Sequence, residues 1–420
     1  MTTLKNKFFF LIIISTILFF SKWGISFILF PNEDITLRVI NESLTDSYFH
    51  YVKVFSDLNF SNDYSSLSNK FLLSVPIGSV IFHSLLYKII GIYSFLFLEL
   101  IFVFLFLYLF STIFHKLNFT LSESILFSVF LYSLTIIFNN FNFGLDELNA
   151  VSVFFFSLSF PRPFVTNLYV YFLFYFLVIN YDKEIFKKNK IYFLGILFAL
   201  ILTSSFFFFL PLLFLLLFFI FKKYKINKII KKIIKFRIHL IISLIIFLSF
   251  TLFFLYLVEN TNSDYSVRMG IIPIELKDKI FLINYYFFRI LEIKNFFFLI
   301  AAIALFIIVK KFLSSKEFYI IEIFFINFLL SIINPFIFIM LSNKIAFLYH
   351  FDNFTIISIF IYFFMIFLYI LKNFLFQYFV LKTNFVLTNL MIIALILLNV
   401  SSSYSNFKNL NYESRINKSQ

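Results

Sequence analysis

Uninterrupted apolar runs of about 20 residues constrain this chain more than any other feature, because a helix of that length crosses the hydrocarbon core of a bilayer. Of the 420 residues, 62% are hydrophobic and only 13% are charged. Soluble domains carry about 25% charged residues. A soluble fold of this size would lack the charge to cover its surface. We therefore predict an all-α, polytopic integral membrane protein.

The residue types and motifs that the chain lacks exclude several kinds of chemistry. There is no Cys, which excludes disulfides, thiolate metal sites and Cys nucleophiles. Only five His are present, so a His-rich metal centre is not expected. The sequence contains no Walker-type phosphate loop, no Gly-rich dinucleotide turn and no HExxH motif. In a membrane protein, the net charge of +14 reports topology through its distribution between the loops. No nucleic-acid partner is therefore expected.

The first apolar run covers residues 8–30 and follows a basic start at residues 5–7. A cleavable signal peptide is an alternative, since the part before Lys22 has the length of a signal-peptide apolar region. However, no small-x-small cleavage site follows, and the apolar run resumes after Lys22 and Trp23. We therefore predict an uncleaved first span with a cytoplasmic N-terminus. Lys22 is expected to extend towards the outer interface.

The distribution of charge between loops predicts the topology. Residues 31–70 carry six acids and three bases, whereas residues 222–237 carry eight bases and no acid. The short segment 182–190 holds four Lys. Cytoplasmic loops of membrane proteins are enriched in Lys and Arg. The two basic loops are therefore predicted to be cytoplasmic and the first loop to be outside, in a cell membrane that we expect to be the bacterial inner membrane.

The apolar stretch between the basic ends at residues 190 and 222 is too long for one ordinary span. Because both ends are basic, a hairpin fits better, turning near residues 203–205 with Pro211 in its second half. Residues 71–91 predict an interfacial or re-entrant helix. Further spans are predicted near 92–115, 119–138, 164–181, 238–258, 295–311, 317–341, 354–372 and 384–401. They bring the total to about eleven and leave the C-terminal tail outside.

Two acidic pairs are predicted to lie in outer loops. Glu33 and Asp34 follow the first span within about one helical turn, and Asp146 and Glu147 follow the third span. Carboxylate oxygens bind divalent cations such as Mg²⁺ or Mn²⁺ and act as general bases towards a hydroxyl. Glu33, Asp34, Asp146 and Glu147 are therefore candidates for holding a divalent cation or for acting as a general base. The alternative is that these are solvated loop acids or helix N-caps.

Cationic residues in the outer loops are candidates for binding a phosphate, since Arg matches its geometry and Lys provides a point charge. They are Arg162, Arg268, Arg289 and Lys344. Anchoring to lipid headgroups is the alternative for each of them. His350 lies close to Asp352 on a further outer turn, either as a proton-handling substrate contact or as an interfacial His with its hydrogen bonds satisfied.

Ionisable residues also occur inside the predicted spans and in a basic amphipathic segment. Glu99 and Glu322 lie within spans, where such a group is a functional candidate, although a hydrogen-bonded carboxylate is the competing interpretation. Residues 222–237 place isoleucines at helical spacing among the bases. That pattern predicts a cytoplasmic interfacial helix in contact with anionic membrane lipids.

This layout resembles the GT-C superfamily of membrane glycosyltransferases. In that family the first span precedes a long outer loop that opens with an acidic pair and contains juxtamembrane helices, similar to Glu33–Asp34 and the helix that ends at Gly91. A second acidic site in the next outer loop of the family is similar to Asp146–Glu147. The shortened middle helices of the family resemble the hairpin at 191–221.

The resemblance covers roughly residues 1–258, including the outer loop at 31–91. Residues 259–420 would then form more variable C-terminal spans and a short polar tail. What the resemblance implies is transfer of a sugar from a polyprenyl-phosphate-linked donor to an acceptor at the outer face of the membrane. A lipid-linked glycan flippase or polymerase remains an alternative, and would need a charged path through the bundle. The other alternative is a non-enzymatic membrane protein, which would tolerate replacement of the loop acids.

The resemblance also implies roles for individual residues. Asp34 would activate the acceptor hydroxyl or bind a divalent cation together with Glu33, with Asp46 as the competing candidate for the key acid. Asp146 would orient the donor or the acceptor sugar or bind the cation, and Glu147 would contact the substrate. One further residue would stabilise the leaving phosphate; the candidates are Arg162, Arg268 and Lys344.

Overall fold

The computed structural model describes residues 2–41, 45–58, 77–140, 164–261, 272–291, 293–342, 344–345, 348–372 and 385–408. Nearly all of them are helical, which confirms the all-α prediction. The helices are α1 (Thr2–Leu29), α2 (Ile35–Asn41), α3 (Thr45–Asp57), α4 (Ile77–Ile90), α5 (Tyr93–Lys116), α6 (Leu121–Asn140), α7 (Phe164–Ile179), α8 (Lys188–Ser204), α9 (Phe206–Lys223), α10 (Ile226–Lys235), α11 (Arg237–Thr261), α12 (Leu276–Leu291), α13 (Ile293–Lys310), α14 (Ser315–Ser342), α15 (Leu348–Ile370) and α16 (Phe385–Lys408). Two short strands, β1 (Ile272–Pro273) and β2 (Lys344–Ile345), pair antiparallel.

Within the described residues, five helices are long and apolar enough to cross a membrane, namely α1, α5, α9, α11 and α14. The apolar parts of α4, α6, α7, α13, α15 and α16 are shorter, at 10–17 residues. This set of helices is that of a membrane-integral protein. The count of about eleven spans stays a prediction, because length and composition support crossing for only five of the described helices.

The chain packs into two compact units. The first consists of residues 1–61, 79–171 and 381–420, and the second of residues 62–78 and 172–380. Each unit therefore combines segments that are far apart in sequence. The domain boundary expected at residue 258 comes from the extent of the family resemblance. The division by packing does not test it, so it stays a prediction.

In the first unit, the segment after α1 folds into short helices before the next long apolar helix begins. The ring of Phe49 in α3 lies 6.0 Å from the ring of Tyr87 in α4 and 6.1 Å from that of Phe95 in α5. Helix α4 ends at Gly91, which has a φ of +59° and whose N–H donates to the carbonyl of Tyr87 at 2.8 Å. A left-handed residue at a helix C-terminus is usually Gly because it has no Cβ. The helix expected to end at Gly91 is therefore present.

In the second unit, the long apolar stretch divides into two helices at Ser205, which is extended (φ −158°, ψ 99°). The rings of Phe198 and Phe209 pack edge to face across this turn, 5.9 Å apart. Lys190 at the start of α8 and Lys223 at the end of α9 both donate to oxygens of Asn180. The two basic ends therefore lie together, as the hairpin prediction requires.

Close helix packing in the second unit depends on Gly195 of α8. A Cβ at this position would lie 2.9 Å from the carbonyl oxygen of Ser243 in α11, and it would also meet the Ser243 hydroxyl. Ser243 Oγ donates to the carbonyl of Ile191 at 3.0 Å. A small residue and an interhelical hydrogen bond together are the usual means of holding two helices close in a membrane.

Candidate functional site at the C-terminal end of the first helix

The acidic pair after α1 forms the start of helix α2. Asp34 is exposed, and its Oδ1 accepts a hydrogen bond from the backbone N–H of Thr36 at 2.6 Å. Asp34 is thus the N-cap of α2, where a carboxylate satisfies a free N–H and interacts favourably with the helix dipole. The sequence left open whether Asp34 is a catalytic acid, a solvated loop acid or a helix N-cap, and its geometry is that of an N-cap. Glu33 is partly exposed and contributes its backbone carbonyl to the contact described next.

Arg38 lies beneath this turn and is only 1% exposed. Its Nη1 donates to the carbonyl of Ser26 at 2.5 Å and to the Ser26 hydroxyl at 3.1 Å, and its Nε donates to the carbonyl of Glu33 at 3.2 Å. The guanidinium carbon lies 4.4 Å from the ring centre of Phe27. Arg38 therefore lies at the C-terminal end of α1, where the helix dipole favours positive charge, and it shares the Ser26 carbonyl with the N–H of Phe30.

One nitrogen of Arg38 differs from the other two. Nη2 is buried and has no hydrogen-bond partner. The acceptors of Nη1 and Nε are neutral oxygens, so none of these hydrogen bonds neutralises the guanidinium charge. An unsatisfied buried N–H costs about 1–3 kcal/mol. Within the described structure, Nη2 is therefore a buried donor without an acceptor, next to a charge without an anionic partner.

A buried ion pair lies further along the same helix. Lys22 Nζ donates to Glu99 Oε1 at 2.8 Å, and Trp23 Nε1 donates to Glu99 Oε2 at 2.9 Å. The side chains of Lys22 and Glu99 are 13% and 4% exposed. The expectation that Lys22 extends to the interface is therefore wrong, because its ammonium group is buried against the Glu99 carboxylate of α5. Glu99 is the hydrogen-bonded carboxylate of the competing interpretation.

These contacts form a polar stripe along the last two turns of α1. Lys22 and Ser26 are four residues apart and so share a face of the helix, and Arg38 binds Ser26. The stripe thus connects the exposed turn at Asp34 with the buried Glu99.

The apolar side of the same end of α1 lines a cavity of about 340 Å³. Its lining consists of Ile25, Ile28, Leu29, Leu397, Val400, Ser401 and Tyr404.

The other predicted site residues are not brought into this geometry. Four of them lie outside the described residues: Asp146, Glu147, Arg162 and Arg268. Lys344 lies in β2, His350 in α15 and Arg289 in α12, but the description covers only their backbone. Among the described residues there is no group of three or more His, Asp or Glu that could hold a metal ion. The shared site of two acidic pairs, and its divalent cation, therefore stay predictions.

On the second unit, the basic ends of the hairpin hold the C-terminal end of α7. Lys223 Nζ donates to the carbonyls of Asn180, Tyr181 and Lys183 at 2.5, 2.6 and 2.6 Å. Burial lowers the pKa of Lys190, and the charges of neighbouring lysines lower it further. Glu322 of α14 pairs with Lys222. Glu322 is therefore part of the contact between α9 and α14, and no further chemistry is assigned to it.

Sequence reasoning missed the role of Arg38 and the partner of Glu99. In the sequence, Arg38 is only one of three bases in a mainly acidic loop. No local pattern indicates that its side chain is buried. The ion pair had a usable signal: Lys22 lies seven residues before the end of α1, and Glu99 six residues after the start of α5. At 1.5 Å per residue, Lys22 lies about 10 Å from the C-terminal end of α1, and Glu99 lies about as far from the N-terminal end of α5. Matching depths of opposite charges in successive spans would have suggested the pair.

Comparison with known proteins gives no relative for this chain: no family model, no curated protein and no solved structure matches it. Any function of this chain is therefore inferred from the chemistry of its site.

Proposed function

We propose that this chain is a membrane glycosyltransferase of the GT-C type, which transfers a sugar from a polyprenyl-phosphate-linked donor to an acceptor at the outer face of the bacterial inner membrane. The observation that carries the proposal is the arrangement after the first apolar helix. An exposed carboxylate at Asp34 starts a short helix, and the short helices α2, α3 and α4 precede the next long apolar helix. The resemblance implies an acidic pair followed by juxtamembrane helices in the same order.

In this proposal Asp34 acts as general base on the acceptor hydroxyl, or binds a divalent cation together with Glu33. Its position is suitable because its carboxylate is exposed at the end of a membrane helix while its backbone is held by α2. Asp146 would orient the sugar from the second outer loop, with Glu147 as a further contact. Lys344, Arg162 or Arg268 would contact the leaving phosphate, and His350 the substrate.

We add Arg38 to the proposed phosphate contacts, for which the turn above it would have to open to the donor. Its unpaired Nη2 and uncompensated charge would be satisfied by a phosphate oxygen. The apolar cavity beside α1 lies at the same helical turn as Ser26, the residue that Arg38 holds. An isoprenoid chain is apolar and would fit such a lining. A phosphate near Arg38 and a lipid chain in the cavity would place the donor at the outer end of α1.

The proposal is tested by replacing Asp34 with Asn. Asn caps helices about as well as Asp, so Asp34→Asn removes the charge and keeps the helix start. Because general-base catalysis contributes about 10²–10⁴-fold, we expect transfer from radiolabelled polyprenyl-phosphate sugars to fall by about 100-fold or more in proteoliposomes. Asp57→Asn is the matched control, since it removes another exposed acid of the same loop.

Two results would contradict the proposal. One is transfer by Asp34→Asn at the rate of the unchanged protein. The other is absence of transfer by the unchanged protein from every polyprenyl-phosphate hexose and pentose offered. A loss in Asp57→Asn equal to that in Asp34→Asn would assign the effect to the loop charge instead of to Asp34.

A further inference from the structure

Helix α10 (Ile226–Lys235) exposes an apolar face that no described part of the protein covers. Ile226, Ile230, Ile233 and Ile234 are 64%, 50%, 46% and 62% exposed, whereas Ile229 is 7% exposed. At about 100° per residue, the four exposed isoleucines fall within an arc of about 100°. Apolar side chains of this size are not left in water as a continuous face without a reason.

A second face of α10 is basic and equally exposed. Lys228, Lys231 and Lys235 fall within an arc of about 60°, nearly opposite the isoleucines. All three side chains are exposed. Lys228 packs against the ring of Tyr224 and Lys235 against that of Phe236. Neither contact neutralises the charge, and residues 222–237 contain no acid.

A third face fixes the helix to the rest of the second unit. Ile229 is buried, and Lys232 pairs with Glu184 while lying over the ring of Tyr224. The basic segment thus divides into two sets of charges. Lys222, Lys223 and Lys232 are used in contacts within the protein. A separate set points outward and consists of Lys225, Lys228, Lys231, Lys235 and Arg237.

The exposed apolar face continues into helix α11. This helix begins at Arg237, and its apolar part, Arg237–Tyr256, is only 11% buried. Its first turns expose Ile238, Ile241 and Ile245. A long apolar helix with this exposure faces the lipid chains. Because α10 joins it directly, α10 lies where the lipid chains meet the headgroups.

We propose that α10 is a binding surface for anionic phospholipid headgroups of the cytoplasmic leaflet. The exposed isoleucines insert at the boundary of the acyl chains, and the outward lysines contact the phosphates. An amphipathic helix with Lys on the polar face binds at the interface in this manner. Juxtamembrane lysines favour anionic over zwitterionic lipids, by about fivefold for each Lys near the surface.

The test uses the full chain in lipid nanodiscs and takes advantage of the absence of Cys. A single Ile233→Cys is labelled with an environment-sensitive fluorophore. Quenching is compared between brominated phosphatidylglycerol and brominated phosphatidylcholine at equal mole fraction. We expect quenching by both lipids, with a preference for phosphatidylglycerol of tenfold or more that decreases at high salt.

Two triple variants separate the contribution of α10 from that of total charge. Lys228→Gln, Lys231→Gln and Lys235→Gln together should lower the preference by about fivefold or more, with Lys225 and Arg237 still in place. Quenching itself should remain, since Gln keeps the helix. The matched control changes Lys183, Lys187 and Lys188 to Gln, three exposed lysines of the neighbouring basic loop. It should keep the preference.

Three outcomes would overturn the proposal. Absence of quenching by either brominated lipid would show that the isoleucine face does not enter the bilayer. Equal quenching by the two lipids in the unchanged protein would show that the lysines do not select anionic headgroups. An equal loss of preference in the two triple variants would assign it to overall charge.

Discussion

The Lys22–Glu99 pair is the clearest case of one residue determining the state of another in this protein. A lysine in a membrane helix extends to the interface only when no closer partner exists. Here the carboxylate of Glu99 lies 2.8 Å from the ammonium group, and the indole of Trp23 supplies a second donor at 2.9 Å. The sequence showed each of these residues, but which of them meet depends on how α1 packs against α5.

We predict that removing one member of this pair is more damaging than removing both. Lys22→Met leaves a buried carboxylate and Glu99→Gln leaves a buried ammonium group, and each should cost about 3–5 kcal/mol. The double variant should therefore cost less than either single variant, which corresponds to a coupling energy of at least about 3 kcal/mol. A double-mutant cycle of unfolding in mixed micelles measures this. Strict additivity would show that the two groups do not interact.

At the residue scale, sequence could predict the identity of the candidate acids but not their local roles. That Asp34 starts a helix was one of the available interpretations, because Asp is a favoured N-cap. The burial of Arg38 was not predictable, since it results from Ser26 and Glu33 presenting carbonyls to one point. Such convergence is a property of the folded turn and has no sequence pattern.

Among the helices, the hairpin shows what sequence predicts well. Its length and its two basic ends excluded a single crossing, and the break at Ser205 lies within the predicted turn. The amphipathic segment is also helical where its isoleucine spacing indicated. The partners of each lysine were not predictable, because lysines that cap α7 and lysines that face outward are interleaved in one short segment.

Helix contacts in the second unit predict a specific cost for Gly195→Ala. The added Cβ would meet the hydroxyl and the carbonyl of Ser243, so α8 and α11 must separate. Overpacking of this kind costs about 1–3 kcal/mol. Gly24→Ala is the matched control, because its Cβ would make only ordinary contacts at 3.7 Å or more with Phe20. It should be neutral or slightly stabilising, as Ala favours helix.

Thermal unfolding of the purified variants in detergent checks this prediction. A lower midpoint for Gly195→Ala than for Gly24→Ala is the expected result. Equal midpoints would mean that α8 and α11 are not in close contact at Ser243.

For the molecule as a whole, composition determined the class and little more. The low charge and the long apolar runs require lipid as a solvent, and the described helices agree. The division into two units was not predictable, because the first unit combines residues near both ends of the sequence. For example, Asn399 of α16 donates to Ser133 of α6 at 2.8 Å. Contacts of such sequence separation leave no local pattern.

A glycosyltransferase site built from both acidic pairs requires that the two pairs face the same outer compartment. Single cysteines at Asn32, Gly144 and Lys228 test it directly in a chain without native Cys. A membrane-impermeant thiol reagent applied to intact cells or spheroplasts should label positions 32 and 144 but not 228. Labelling of only one of positions 32 and 144 would place the acids on opposite sides. It would contradict both the shared site and the glycosyltransferase proposal.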